Sequence, residues 1–156
     1  MVMTDRALKA AVKQLMSTQL YGVLATASNS GAPHCSIVAF VSADDLASLV
    51  FVTPRNTRKF TYIGARPQVS LFVDNRSDQA DDLMQVIGVE ASGIAHELSG
   101  GEAGPYRELF LAKYPQMSGF VRAPGSAIVR IAVDHYDVVD RFQHVLVLPV
   151  ASRGRG

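Results

Sequence analysis

The segment Thr53-Pro-Arg-Asn-Thr-Arg-Lys59 concentrates the residue types that hold a phosphate group. A phosphate monoester carries close to two negative charges at neutral pH and several acceptor oxygens. It is bound by guanidinium or ammonium groups together with hydroxyl and backbone N–H donors. Arg55, Arg58 and Lys59 supply the charge here, and Thr53, Asn56 and Thr57 supply short polar groups. If Asn56 or Thr57 caps a following helix, the N–H groups of its first turn and the positive end of its dipole add to the same site. The segment reads equally well as a surface helix start with solvated charges, the usual fate of Arg and Lys.

The surrounding charge favours a local anion site. Between Leu46 and Val73 stand Arg55, Arg58, Lys59 and Arg66 with no acid, whereas Asp74, Asp78, Asp81, Asp82 and Glu90 follow closely. The whole chain carries a net charge of +1, which argues against a general binder of nucleic acid. Other reactive residues point to no site of their own. Cys35 beside His34 suggests a nucleophile, but neighbours on a strand face opposite ways, so a buried thiol is expected instead. His34, His96, His135 and His144 lack metal-ligand spacing, and Gly100, Gly101 and Gly104 lack that of a dinucleotide loop.

With 156 residues, the chain is expected to form a single domain over residues 1–150, with residues 151–156 as a solvated tail. A single cysteine fits a reducing cytoplasm, and the first residues, MVMTDRALKAAVKQLM, lack the continuous apolar core of a signal peptide. No apolar run approaches the roughly 18 residues of a membrane span.

The elements that must position the basic loop follow from hydrophobic periodicity. Leu8, Ala11, Val12, Leu15 and Met16 behind a possible Thr4 cap predict a helix over residues 4–17. YGVLATAS, HCSIVAFVS and LVFVT, separated by turn-forming residues, predict three strands in an antiparallel meander. A short helix over NTRKFTYIGA stops before Pro67, and VSLFVDN, apolar at nearly every position, predicts a strand buried on both faces. QVIGVEASGIAHEL is a long strand with Gly88 and Gly93 as bends or bulges. A second helix over GEAGPYRELFLAKYP precedes two Val- and Ile-rich terminal strands. The expected fold is mainly β with flanking helices, a small closed or nearly closed barrel.

The stretch SLVFVTPRNTRKFTYIGARPQVSLFV, preceded by LATASNSGAPHCSIVAFV, resembles the pyridoxamine 5'-phosphate oxidase-like family, antiparallel split β-barrels that bind FMN. The pattern runs from about Tyr21 to Leu98: a strand ending in Thr, a Thr-Arg-Lys helix start, and an Arg-Pro-x-Val-Ser turn into the next strand. The resemblance implies a homodimer with FMN at the subunit interface. It places His34, Cys35, Ser36, Ile37 and Val38 beside the isoalloxazine ring, with Val52 and Thr53 lining it from the next strand. Asn56, Thr57, Arg58 and Lys59 would hold ribityl and phosphate oxygens, with Arg58 and Lys59 as the phosphate clamp and Arg55 outside it. Asn75 and Arg76, at the end of the fourth strand, and Gln143 or Arg141 near the last strand are further expected contacts, some across the dimer.

The implied activity is that of an FMN-dependent oxidoreductase acting on an unknown small molecule. The substrate-gripping basic and histidine motif of pyridoxamine phosphate oxidase itself is not evident in VVDRFQHVLVLPV. A flavin-binding or storage protein without catalysis, and a barrel for another phosphorylated ligand, remain alternatives. Heme handling, found in some of the family, would need an axial ligand that the sequence does not single out.

Overall fold

The computed structural model describes residues 4–141 and 144–151. In chain order the elements are α1 (Asp5–Thr18), β1 (Tyr21–Ala27), β2 (Pro33–Ser42), β3 (Ser48–Pro54), α2 (Arg58–Ala65), β4 (Gln68–Asp74), β5 (Ile87–Glu97), α3 (Ala103–Lys113), α4 (Ser118–Val121), β6 (Ser126–Asp140) and β7 (His144–Pro149). The Thr4 hydroxyl accepts from the Ala7 N–H and caps α1, whose Leu8, Val12, Leu15 and Met16 are buried as their spacing predicts.

All strand pairings are antiparallel, in the order β3-β2-β1-β4-β5-β6-β7, and β3 also pairs with β6. That contact closes six strands into a barrel. The 15-residue β6 makes closure possible by changing partner along one edge. Ser126–Ala132 pair with β3, and His135–Asp140 pair with β7. Its other edge follows β5, with a register shift at Ser92/Gly93. The expected bulge at Gly93 is therefore present. A Cβ at Gly93 would lie 2.3 Å from the Ala132 carbonyl oxygen, so only glycine permits this approach.

The barrel is split between β2 and β3. β1 follows β2 from Tyr21↔Ala39 to Ala27↔Pro33, whereas β3 pairs with β2 only at Phe40↔Phe51, Val41↔Val50 and Ser42↔Leu49. Beyond Phe51 the third strand stays with β6, and residues 33–39 of β2 keep an edge that no strand covers. The basic loop and α2 leave the barrel at this divergence.

Two apolar clusters hold the fold. Leu24, Phe40, Leu49, Phe51, Leu71, Val89, Val129 and Tyr136 fill the barrel and meet the buried side of α1. Val41, Val50, Val52 and Ile128 on its outside pack under Phe110, Leu111, Tyr114 and Val121. The strand buried on both faces is thus β3, not β4 as its composition predicts. On β4 only alternate residues are buried, and Phe72 remains 37% exposed because its ring lies on the outer face against Gly88. The second cover of β3 is the helix α3, which alternation along a single strand cannot reveal.

The end of α3 ties the layers together. Lys113 Nζ donates to the carbonyls of Met16, Gln19 and Phe40 at 2.8–3.0 Å, and sits 4.3 Å from the Phe40 ring centroid. The neighbouring Tyr114 hydroxyl lies between the Leu20 and Phe40 carbonyls at 2.7 and 2.6 Å. Among the described residues, no helix is long and apolar enough to cross a membrane.

Candidate functional site

The loop after β3 is built on two hydroxyls. Thr53, fully buried, has Oγ1 2.9 Å from Thr57 Oγ1, and the Thr57 hydroxyl donates to the Pro54 carbonyl at 3.0 Å. Thr57 occupies the N-cap position of α2, but its side chain makes no capping bond because it turns back to Pro54. The expected side-chain cap by Asn56 or Thr57 is therefore absent. The consequence favours a ligand: no side chain competes for the N–H groups of the first turn.

The four cations of this region divide into two pairs. Arg55 is consumed by the protein, with Nε donating to Glu97 Oε1 and Nη1 to the Pro124 carbonyl, each at 2.9 Å. Arg66 donates through Nη2 to the Asn29 carbonyl at 2.7 Å. Arg58 and Lys59 have no hydrogen-bond or ion-pair partner among the described residues. Arg58 is exposed and Lys59 half-buried, both in the first turn of α2.

Across the split, β2 presents alternating faces. His34 and Ser36 are half-buried and Val38 is buried, while Cys35 and Ile37 point outward, Ile37 being 74% exposed. The expected burial of the Cys35 thiol is corrected: its place in the alternation turns it to the outer face. His34 meets Tyr62 of α2 edge to face, with ring centroids 5.8 Å apart, so the helix carrying Arg58 and Lys59 is braced on β2. Ser36 Oγ and Thr26 Oγ1 are buried and lack a hydrogen-bond partner among the described residues. Thr26 stands directly opposite His34 in the β1–β2 register. Thr53 closes the other side of the split, whereas the Val52 side chain, expected beside it, turns away and packs under Phe110 and Val121.

Asn75 and Arg76 lie elsewhere on the chain. α2 leads into the start of β4, whereas these residues follow its end, roughly 20 Å away at about 3.3 Å per residue. Asn75 Oδ1 accepts from the Ile87 N–H at 2.8 Å and closes the crossing from β4 to β5. Arg76 chelates Asp74, with Nε 3.0 Å from Oδ1, and holds its carboxyl below the usual carboxylate range. Arg76 also lines a groove of about 440 Å3 with Phe72, Leu83, Val86 and Val139. One chain thus brings His34, Ser36, Thr53, Thr57, Arg58 and Lys59 to the split and leaves Asn75 and Arg76 apart. Gln143 lies outside the described residues, as does the expected tail from residue 152 onward.

Sequence reasoning missed Thr26 and Tyr62. Neither belongs to a polar motif; only the strand register and the position of α2 bring them beside His34.

A closed antiparallel barrel split beside an uncapped basic helix start belongs to the split-barrel class. The family model described as pyridoxamine 5'-phosphate oxidase matches residues 8–140, and the chain belongs to this family. No curated protein matches the sequence. Solved structures share the fold at low identity. A heme binding protein from Mycobacterium smegmatis is similar at 16% identity and a TM-score of 0.79, over 90% of this chain and 57% of that protein. The chain therefore spans little more than half the length of that relative. General Stress Protein 26 from Bacillus anthracis str. Sterne is similar at 21% identity and a TM-score of 0.71, over 91% of this chain and 98% of its own. A FAD-binding protein from Mesorhizobium loti is similar at 19% identity and a TM-score of 0.67, over 83% and 90% of the two chains.

Proposed function

We propose that the protein binds FMN in the split between β2 and β3 and works as a flavin-dependent oxidoreductase on a small molecule. The observation that carries this is the division of the basic loop: the fold consumes Arg55 and Arg66 and leaves Arg58 and Lys59 free at the first turn of α2. Two cations beside unclaimed N–H groups suit a phosphate monoester. The buried, unpartnered Ser36 Oγ supplies a hydroxyl without a protein partner on the facing strand, which fits a polar ligand there.

Bound flavin supplies the electron transfer, and the protein holds and orients it. Arg58 and Lys59 neutralise the phosphate, with Asn56, Thr57 and Thr53 beside the ribityl chain. His34 and Ser36 border the ring with their side chains, and Cys35, Ile37, Val38 and Val52 with their backbone. A second copy completes the site, bringing Asn75, Arg76 and Gln143 toward it. The outward row Ile37–Val23–Phe72 across β2, β1 and β4 offers that copy an apolar face. The setting is the reducing cytoplasm, where an exposed Cys35 stays a thiol.

The test is the visible absorption spectrum of the purified protein, with the chromophore identified after denaturation. A flavin spectrum releasing FMN at about one per chain supports the proposal. A Soret band, or a colourless protein that takes up no added FMN, contradicts it. Oxidation of reduced nicotinamide by the flavin-loaded protein then separates an oxidoreductase from a storage protein.

A further inference from the structure

A cleft of about 500 Å3 lies where the end of β5, the start of α3 and the segment between α4 and β6 meet. Three arginines line it: Arg55 from the loop after β3, Arg107 from α3 and Arg122 just after α4. Among the described residues that line it, Glu97 is the sole acid, and it is already bound to Arg55. Beyond the Arg55–Glu97 pair the lining holds two further arginines, Arg107 and Arg122.

The arginines differ in how firmly they are held. Arg55 is locked between Glu97 and the Pro124 carbonyl. Arg122 reaches Glu108, which lies outside the cleft, at 3.2 Å. Arg107 is half-buried and has no hydrogen-bond or ion-pair partner among the described residues. Its five donors have no protein partner there, which suits recognition of an oxyanion. Leu98, Val121 and Ile128 add apolar wall between the charges. A volume in the usual range for small-molecule sites leaves room for a carbon skeleton.

We infer that this cleft is an anion site separate from the flavin split, and that its ligand is a small dicarboxylate. Guanidinium forks pair with carboxylates two bonds at a time. Here the two arginines outside the Arg55–Glu97 pair, Arg107 and Arg122, reach the cleft from different segments, one fork for each end of a dicarboxylate. A phosphate is held best by donors converging on one point, as at the α2 start.

The test uses the full-length protein as purified, with glutarate as probe, butyrate as its single-charge counterpart and inorganic phosphate as the compact dianion. Amide chemical shifts are followed by NMR during each titration. Saturable shifts at Leu98, Arg107 and Val121, with glutarate bound at least about tenfold more tightly than butyrate or phosphate, are expected. Arg107→Gln should weaken glutarate about tenfold, and Arg107→Lys should restore part of the loss. The double variant Arg58→Gln with Lys59→Gln should leave glutarate affinity unchanged, since it alters only the flavin split. No saturable shift, equal binding of phosphate, an Arg107→Gln variant that binds as the native protein does, or loss confined to the Arg58/Lys59 variant overturns the inference. None of these outcomes depends on whether flavin binds.

Discussion

Thr53 Oγ1 and Thr57 Oγ1 are 2.9 Å apart, and this contact latches the buried end of β3 to the residue that begins α2. Barrel packing fixes Thr53, and the hydroxyl pair passes that order to the turn carrying Arg58 and Lys59. Thr53→Val keeps the shape and deletes the link. It should lower stability by about 1 kcal/mol in chemical denaturation and weaken FMN several-fold, because the helix start loses its anchor. Native FMN affinity in a destabilised variant would show that the latch does not position the site.

A large stability effect should come from a single methyl group. Gly93→Ala puts a Cβ 2.3 Å from the Ala132 carbonyl oxygen, across a backbone pairing that cannot give way cheaply. A loss of at least about 2 kcal/mol is expected from urea denaturation. Gly64→Ala, where nothing lies within 4 Å, should be tolerated.

Lys113 joins α1, β2 and α3 through three carbonyls. Lys113→Met should cost about 2 kcal/mol by leaving those acceptors unpaired. Burial pushes the ammonium from 10.5 down to about 8. Between those values the unfolded chain keeps a proton that the folded chain has released, so this group makes stability rise with pH across the window. The rise should be missing in Lys113→Met.

Two tyrosines work in the opposite direction at higher pH. Burial raises Tyr114 from 10.0 to about 12 and Tyr136 further still. Their folded values lie above the unfolded one, so the stability they confer is complete below about pH 10 and lost as pH rises beyond it. The Tyr136 hydroxyl donates to the Leu46 carbonyl at 2.6 Å, where the backbone adopts a left-handed φ of 63°. Tyr136→Phe should cost about 1–3 kcal/mol and reduce the alkaline loss seen in pH-dependent unfolding.

The outward row on the barrel yields a test of assembly. Ile37→Glu places a charge on a residue already 74% exposed, so the monomer should fold normally. Sedimentation should show a native dimer and a monomeric variant with weakened FMN binding. A variant that remains dimeric places the subunit contact elsewhere.

Much of the barrel was legible in the sequence. The α1 stripe, its Thr4 cap, the meander and the Gly93 bulge all follow from local patterns. Burial of β3 on both faces did not, because its second cover is α3, an element some fifty residues away that no local pattern connects to it. Composition likewise could not sort the cations of the basic loop. Arg55 and Arg58 are alike in sequence, and only the return of β5 brings Glu97 to one of them. Cys35 shows the same limit: a buried thiol is the expected alternative to a nucleophile, but strand alternation sets it outward.

If Arg58 and Lys59 grip a phosphate, titrations of flavin-free protein must separate FMN from riboflavin, the same ring without the phosphate. FMN should bind far more tightly than riboflavin. Replacing Arg58 and Lys59 with Ala should reduce FMN affinity by about tenfold to a hundredfold per residue and leave riboflavin almost unchanged. Equal affinity for the two flavins, or a double variant that holds FMN as the native protein does, would contradict the account.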